Sequence, residues 1–357
     1  MKRLTILGVV AGLALLVALV VWQGWHDVLR VFEHAGWPLL LLIPARIVTL
    51  AMDTWAWRIL LEPLLAPRVD TRTVSAGPAR AAAPTPARAG LGFLLWVALV
   101  REAVNRLLPA AGIGGEVAGV RLARTRIPDT AGVTASVIVE VLLTIGVLYL
   151  FCGLGVVLMA RIAGGADQVW VIAASLLLSL PLPALAWWLL RGGQAFQRLE
   201  RFALRAFGEK TLAALSVDGS MQGAALDGAI ARLMAQRARL LRALIWQLLS
   251  YLLGSFETWY ALRLLGHPVD AETAVAIEAL SQAVRHAGFM VPAGLGVQEA
   301  AVLLFGMLAG VGGEVALSLA LVKRMREIVL GIPALLSWQW FEARAWRRER
   351  VAGSQRV

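Results

Sequence analysis

Residues 285–299, RHAGFMVPAGLGVQE, decide the fold. Arg285 and His286 enter an apolar run, Pro292, Gly294 and Gly296 break it, and Gln298 and Glu299 follow. No helix runs smoothly through such a sequence. Proline removes a backbone donor and clashes with the preceding turn, and glycine adds conformational freedom. Residues 101–116, REAVNRLLPAAGIGGE, repeat the design: Arg101, Asn105 and Arg106, then Pro109, then Gly114 and Gly115, then Glu116. Proline and glutamate are seven residues apart in both stretches, Pro109 to Glu116 and Pro292 to Glu299. Two broken, polar, glycine-rich segments at corresponding places in two halves point to a binding site in a repeated membrane fold.

Composition sets the same frame. The chain has 357 residues, 59% of them hydrophobic and gathered in long runs, which reads as an integral helical membrane protein. The net charge of +11 fits cytoplasmic loops that face anionic headgroups. No zinc-finger or helix-turn-helix pattern points to nucleic acid. The lone Cys152 excludes an intramolecular disulfide and a multi-thiolate metal site. The GIGG at 112–115 follows no strand and completes no dinucleotide motif, and no Walker loop or Ser-His-Asp arrangement is visible. The sequence therefore implies no cofactor, no metal and no ATP-driven step.

Outward from the two broken segments, the chain reads as helices over about 4–22, 38–61, 131–160, 169–190, 243–265 and 314–341. Residues 91–123 and 273–311 form re-entrant hairpins around the two Pro/Gly turns. Non-helical backbone at depth requires protein or a wet cavity around it. The expected fold is all-α and polytopic, with about six full transmembrane helices and two re-entrant hairpins in two inverted repeats. Residues 1–342 make one membrane domain, with 1–165 as the first repeat and 168–342 as the second. Residues 62–90, rich in Ala, Pro and Arg, read as a disordered-like cytoplasmic loop. Residues 191–242 read as a basic cytoplasmic loop, either an amphipathic helix on the interface or a solvated one. Residues 343–357 are a basic tail. Of the 34 Lys and Arg, three (Arg30, Arg161, Arg263) fall in outer segments, the asymmetry expected when both termini are cytoplasmic.

Ionisable groups at membrane depth cost at least ~2.5–3.5 kcal/mol each, so they are paired or functional. Beside the two motifs, the candidates are Glu102, Glu140, Lys323, Arg324, Arg326 and Glu327, with Arg46 and Asp53 seven apart on one helix face. The functional reading is a polar, cationic cavity for a lipid headgroup, since the guanidinium fork binds phosphate or carboxylate bidentately. Half-helix N-termini after Pro109 and Pro292 would add positive potential. The scaffold reading pairs the charges with one another: Arg101 with Glu116, Arg285 with Glu299, Arg326 with Glu140. Glu140 is a proton carrier or a salt-bridge partner, and the lone His286 is a hydrogen-bonded helix residue rather than a metal ligand.

The patterns RxxxNxLLPAxGIGGE and VPAGLGVQEA, with LVKRMREIVLGIPALLSWQWFE near the end, resemble the membrane domain of lysylphosphatidylglycerol synthases and related flippase-like membrane proteins. With the lead-in SQAVRHAGF, the second pattern is most similar to bacterial hopanoid-biosynthesis-associated membrane proteins. The resemblance covers about residues 1–342. It implies a multi-pass protein of the bacterial inner membrane that moves a lipid, a hopanoid or else a phospholipid, towards the outer membrane. It carries over Arg101, Asn105, Pro109, Gly114, Gly115, Glu116, Arg285, Pro292, Gly294, Gly296, Gln298, Glu299, Lys323, Arg324, Arg326 and Glu327 as family-pattern residues. Two departures stand out. The stretch 66–90 is long and biased, and no aminoacyl-transferring domain follows the last helix, so lysyl transfer from tRNA is not expected.

The leading expectation is thus a transporter, not an enzyme. Two alternatives stay open: an intramembrane enzyme that modifies a lipid headgroup with paired carboxylates, and a scaffold that recruits hopanoid-biosynthesis proteins through the 191–242 loop.

Overall fold

The computed structural model describes residues 36–65, 89–108, 114–162, 181–197, 223–288 and 296–354, and no strand occurs among them. The predicted first helix (4–22), the turn residues Pro109, Pro292 and Gly294, and most of the 62–90 and 191–222 stretches lie outside the described residues.

A 3-10 turn (Trp37–Leu41) leads into α1 (Leu42–Leu65). The first hairpin is α2 (Leu91–Leu107) and α3 (Gly114–Ala123), followed by the long α4 (Thr130–Ile162). Then come α5 (Pro181–Arg191), α6 (Gly223–Met234) and α7 (Arg237–Leu264). The second hairpin is α8 (Ala271–Ala287) and α9 (Val297–Leu308), and α10 (Gly313–Ser354) closes the chain. The segments Trp37–Leu65 and Thr130–Ile162, 29 and 33 residues, are long and apolar enough to cross a bilayer.

Three boundaries differ from the sequence reading. α1 continues through Pro63 to Leu65, so residues 62–65 are helical rather than loop. Residues 223–242 are not a surface loop either. α6 buries Leu226, Ala229, Ile230 and Leu233 against Ile59, Leu60, Val139 and Leu143. That three-and-four spacing is an apolar helical stripe, hidden in the sequence by its basic surroundings. α7 begins at Arg237, and α10 runs to Ser354 with no break at residue 342, because Glu, Ala, Arg and Trp carry no helix-stopping signal.

The packing is reciprocal. α1 lies along α7, α8 lies on α4, and α2 lies on α10. Each hairpin is therefore seated on the long helix of the other half. Both seats are made by a glycine. A Cβ on Gly155 of α4 would stand 2.6 Å from the Ala279 Cβ, and one on Gly331 of α10 would stand 2.4 Å from Leu107 Cδ1. Small residues let helix backbones approach closely, which is the main packing device where lipid offers no hydrophobic gain. Two apolar clusters follow: one joins the second hairpin to α4 and the start of α10, the other joins the first hairpin to α1 and the end of α10.

Candidate functional site

Six helices turn polar residues towards one another between these clusters. α1 contributes Arg46, Asp53, Thr54 and Trp57; α2 contributes Arg101, Glu102, Asn105 and Arg106; α4 contributes Glu140 and Thr144. α7 adds Gln247 and Tyr251, α8 adds Arg285 and His286, and Glu116 enters from α3. On α1, α2, α4 and α7 these positions include pairs three, four or seven residues apart, so one stripe of each faces inward. Together they line a cavity of about 290 Å³.

The first hairpin closes on itself. Arg101 donates to Glu116 across the turn, and its other terminal nitrogen donates to Glu140 Oε2 at 2.8 Å. The Arg101 guanidinium also lies 5.0 Å from the Trp57 ring centre, and Trp57 is fixed by its own bond to Ser136 Oγ, 3.1 Å. The Gly115 N–H donates to Asn105 Oδ1 at 2.8 Å, which satisfies one of the orphan donors at the start of α3. A Cβ on Gly115 would meet the Arg101 carbonyl oxygen at 2.3 Å, so the motif requires glycine there.

The second hairpin closes outward. The Glu299 side chain folds back to accept from the Gly296 N–H, 2.8 Å, as Gly296 turns the backbone at φ 78°. Arg285 therefore does not pair with Glu299. It donates to Glu327 Oε1 on α10, 3.2 Å. Arg326 does not pair with Glu140 either, because Arg101 holds that carboxylate; Arg326 pairs with Glu257 on α7. Of the three predicted pairs, Arg101 with Glu116 is the one the structure contains.

Glu327 is the centre of the arrangement. Its carboxylate accepts from Arg106 at 2.6 Å, from Arg285 at 3.2 Å and from Arg324 at 3.0 Å. Arg106 lies 3.7 Å from Glu102, which accepts from Arg46 through Nε and Nη2 at 3.0 and 2.6 Å. One line of alternating charge thus runs from α1 through α2 and α10 to α8. Beside it, Lys323 and Thr258 share Glu278, and Gln282 donates to the same carboxylate at 2.9 Å. Arg324 Nε lies 3.6 Å from Glu299.

The cavity is not cationic, contrary to the sequence reading. Its lining holds four arginines (Arg46, Arg101, Arg106, Arg285) and four carboxylates (Asp53, Glu102, Glu116, Glu140). Each of those arginines is engaged by a carboxylate. Two acceptors on the lining, Asp53 Oδ1 and Gln247 Oε1, have no hydrogen-bond partner among the described residues. Gln247 is 3% exposed, and its Nε2 donates to Thr144 Oγ1 at 3.2 Å, which points the amide at the cavity wall.

Ten of the sequence candidates meet at the cavity: Arg46, Asp53, Arg101, Glu102, Asn105, Arg106, Glu116, Glu140, Arg285 and His286. Gln298, Lys323, Arg326 and Glu327 meet just behind it, around a smaller space. Gly114 opens α3, and His286 bonds the Gln282 carbonyl as an ordinary helical residue would. Glu257, Glu278, Gln247 and Tyr251 were not singled out in the sequence. Glu257 and Glu278 carried a usable signal, since both are carboxylates within predicted membrane-depth segments. Among the described residues no group of three or more His, Cys, Asp or Glu is placed to hold a metal ion.

The sequence profile of the lysylphosphatidylglycerol synthase TM region matches residues 9–334. The chain belongs to that family. No curated protein and no solved structure matches it. The family is a membrane domain, so the cavity is a polar space within the helical bundle of a membrane protein. For a member of the lysylphosphatidylglycerol synthase TM-region family, a membrane lipid-related role follows.

Proposed function

We propose that this family member is a lipid transporter of the bacterial inner membrane, with both termini cytoplasmic, and that it moves hopanoids towards the outer membrane. The observation that carries the reading is the charge-balanced cavity. A lipid headgroup enters it while the tails stay among the apolar helix faces. A phosphate would have to displace carboxylates from arginines that are already engaged. A neutral headgroup with hydroxyls leaves the balance intact and donates to Asp53 and Gln247. This favours a hopanoid over a phospholipid.

The reciprocal seating of the hairpins supports two inverted repeats, with transport as one repeat moving against the other. The halves share the ion pairs on Glu327, so movement at the cavity is linked to both hairpins.

The test is a lipid inventory of separated inner and outer membranes, with and without the gene. Hopanoid lost from the outer membrane at constant total is the expected result. Loss of particular hopanoid species from both membranes would replace transport by headgroup chemistry, and unchanged hopanoids would overturn the cargo assignment.

A further inference from the structure

Behind the Arg106–Glu327–Arg285 pairs lies a second, much smaller cavity of about 20 Å³. Glu257 of α7, Ser281 of α8 and Gln298 of α9 converge on it. These residues are 8%, 4% and 4% exposed. One oxygen of each, Glu257 Oε1, Ser281 Oγ and Gln298 Oε1, has no hydrogen-bond partner among the described residues. Buried polar atoms are destabilising when left unmatched, and three around one small space is a pattern that a guest resolves.

The chemistry selects the guest. A buried water needs roughly 10–15 Å³ and two to four polar partners, and this cavity provides both. A cation is disfavoured, because the lining already holds Arg106, Arg285, Lys323 and Arg326 against Glu257, Glu278 and Glu327. An anion would face the Glu257 carboxylate and the Gln298 carbonyl. We propose that the cavity binds one water molecule, which donates to Glu257 Oε1 and Gln298 Oε1 and accepts from the Ser281 hydroxyl.

This water joins both arms of the second hairpin to α7. Arg106 and Arg285 line this cavity and the larger one alike, so the guest sits directly behind the ion pairs that wall off the headgroup cavity. It gives the hairpin a contact that is exchanged without breaking an ion pair. The assignment is independent of which lipid is moved.

The test uses the full chain in lipid nanodiscs and a thermal double-mutant cycle. Ser281→Ala and Gln298→Met each remove one partner of the water. Each single variant is expected to lower the melting temperature by about 2–4 °C. The double variant is expected to fall no lower than the worse single one, because the two share one guest. Additive losses would overturn the proposal. Replacing potassium by sodium is expected to leave the melting temperature unchanged; a sodium-specific rise that disappears in Ser281→Ala would assign the site to a cation instead. Should the variants fail to fold, a high-resolution map of the native protein decides. Density within hydrogen-bond distance of all three oxygens supports the site, and its absence refutes it.

Discussion

The two hairpins begin from nearly the same motif and are held in different ways. In the first, Arg101, Asn105, Gly115 and Glu116 bond across the turn, so α2 and α3 form a clasped unit. In the second, Glu299 turns back to its own helix start, and Arg285 reaches out to α10. The Pro-to-Glu spacing is the same in both, while the neighbour that packs alongside decides the ion pair. The first hairpin adds a clasp of its own to the Arg106 pair with α10; the second relies on its pairs with α10.

The strongest test of that contrast is Glu327→Ala. It strips Arg106 and Arg285 of their shared carboxylate at a side chain that is 1% exposed. Breaking a buried pair costs about 3–5 kcal/mol, so the variant should lose most of its stable yield in detergent, read by melting temperature and monodispersity. A loss under about 1 kcal/mol would mean that the hairpins do not depend on α10.

Gly119→Ala tests the clasp from inside. Its Cβ would stand 2.5 Å from Arg101 Cδ, and Arg101 is pinned at both ends of its guanidinium. Overpacking of this kind costs about 1–3 kcal/mol. Gly92→Ala, with no atom within 4 Å of the new carbon, is the matched control and should be neutral or stabilising. Equal melting temperatures for the two variants would remove the clasp from the account.

Double-mutant cycles sharpen the pairing itself. Arg101→Met with Glu116→Gln, and Arg285→Met with Glu327→Gln, should each show a coupling of roughly 0.5–3 kcal/mol. Arg285→Met with Glu299→Gln should be additive to within about 0.5 kcal/mol. Coupling in the last cycle would restore the symmetric scheme that the motifs suggest.

The smallest expected effect lies where the hairpins start. α8 has a side-chain cap, Asp270, which accepts from the Thr273 N–H at 2.8 Å; α2 starts at Gly90 without one. Hydrogen bonding to the Thr273 side chain, and then to its N–H, holds the Asp270 carboxyl below the usual carboxylate range. Its stabilisation is complete above the unfolded value, about pH 4, and fades as pH falls through the lower folded value. Asp270→Ala should cost about 0.5 kcal/mol at neutral pH, since the cap is exposed, and the difference should vanish in acid. A difference that persists at low pH would point to another role for the residue.

Much of this molecule is legible in its sequence. Apolar runs and the Pro/Gly breaks place α1, α2, α4, α7, α8 and α9 within a few residues, and the twin motifs lead directly to the cavity. Arg101 with Glu116 was readable because both lie in one local motif. Arg285 with Glu327 was not, because the choice between Glu299 and Glu327 is made by which helix packs against α8. α6 was hidden by the arginines around its apolar stripe. The charge balance of the cavity is not legible in the same way: Glu102 and Asp53 stand among the sequence candidates, but which carboxylates turn inward beside the arginines is decided by how the helices pack.

The glycine seats bear on how the protein is made. Leu107 of the first hairpin settles into the notch at Gly331, and Arg106 binds Glu327 across 221 residues of chain. Until α10 is made, Arg106 lacks Glu327 and keeps the weaker pair with Glu102, 3.7 Å away in the folded chain, and Leu107 lacks the Gly331 notch. The first hairpin must therefore wait, inserted but unseated, until nearly the last helix emerges. Chains cut short before α10 would present an open notch partner and an under-neutralised arginine to the membrane's quality-control proteases, so synthesis of α10 is itself the step that completes the site.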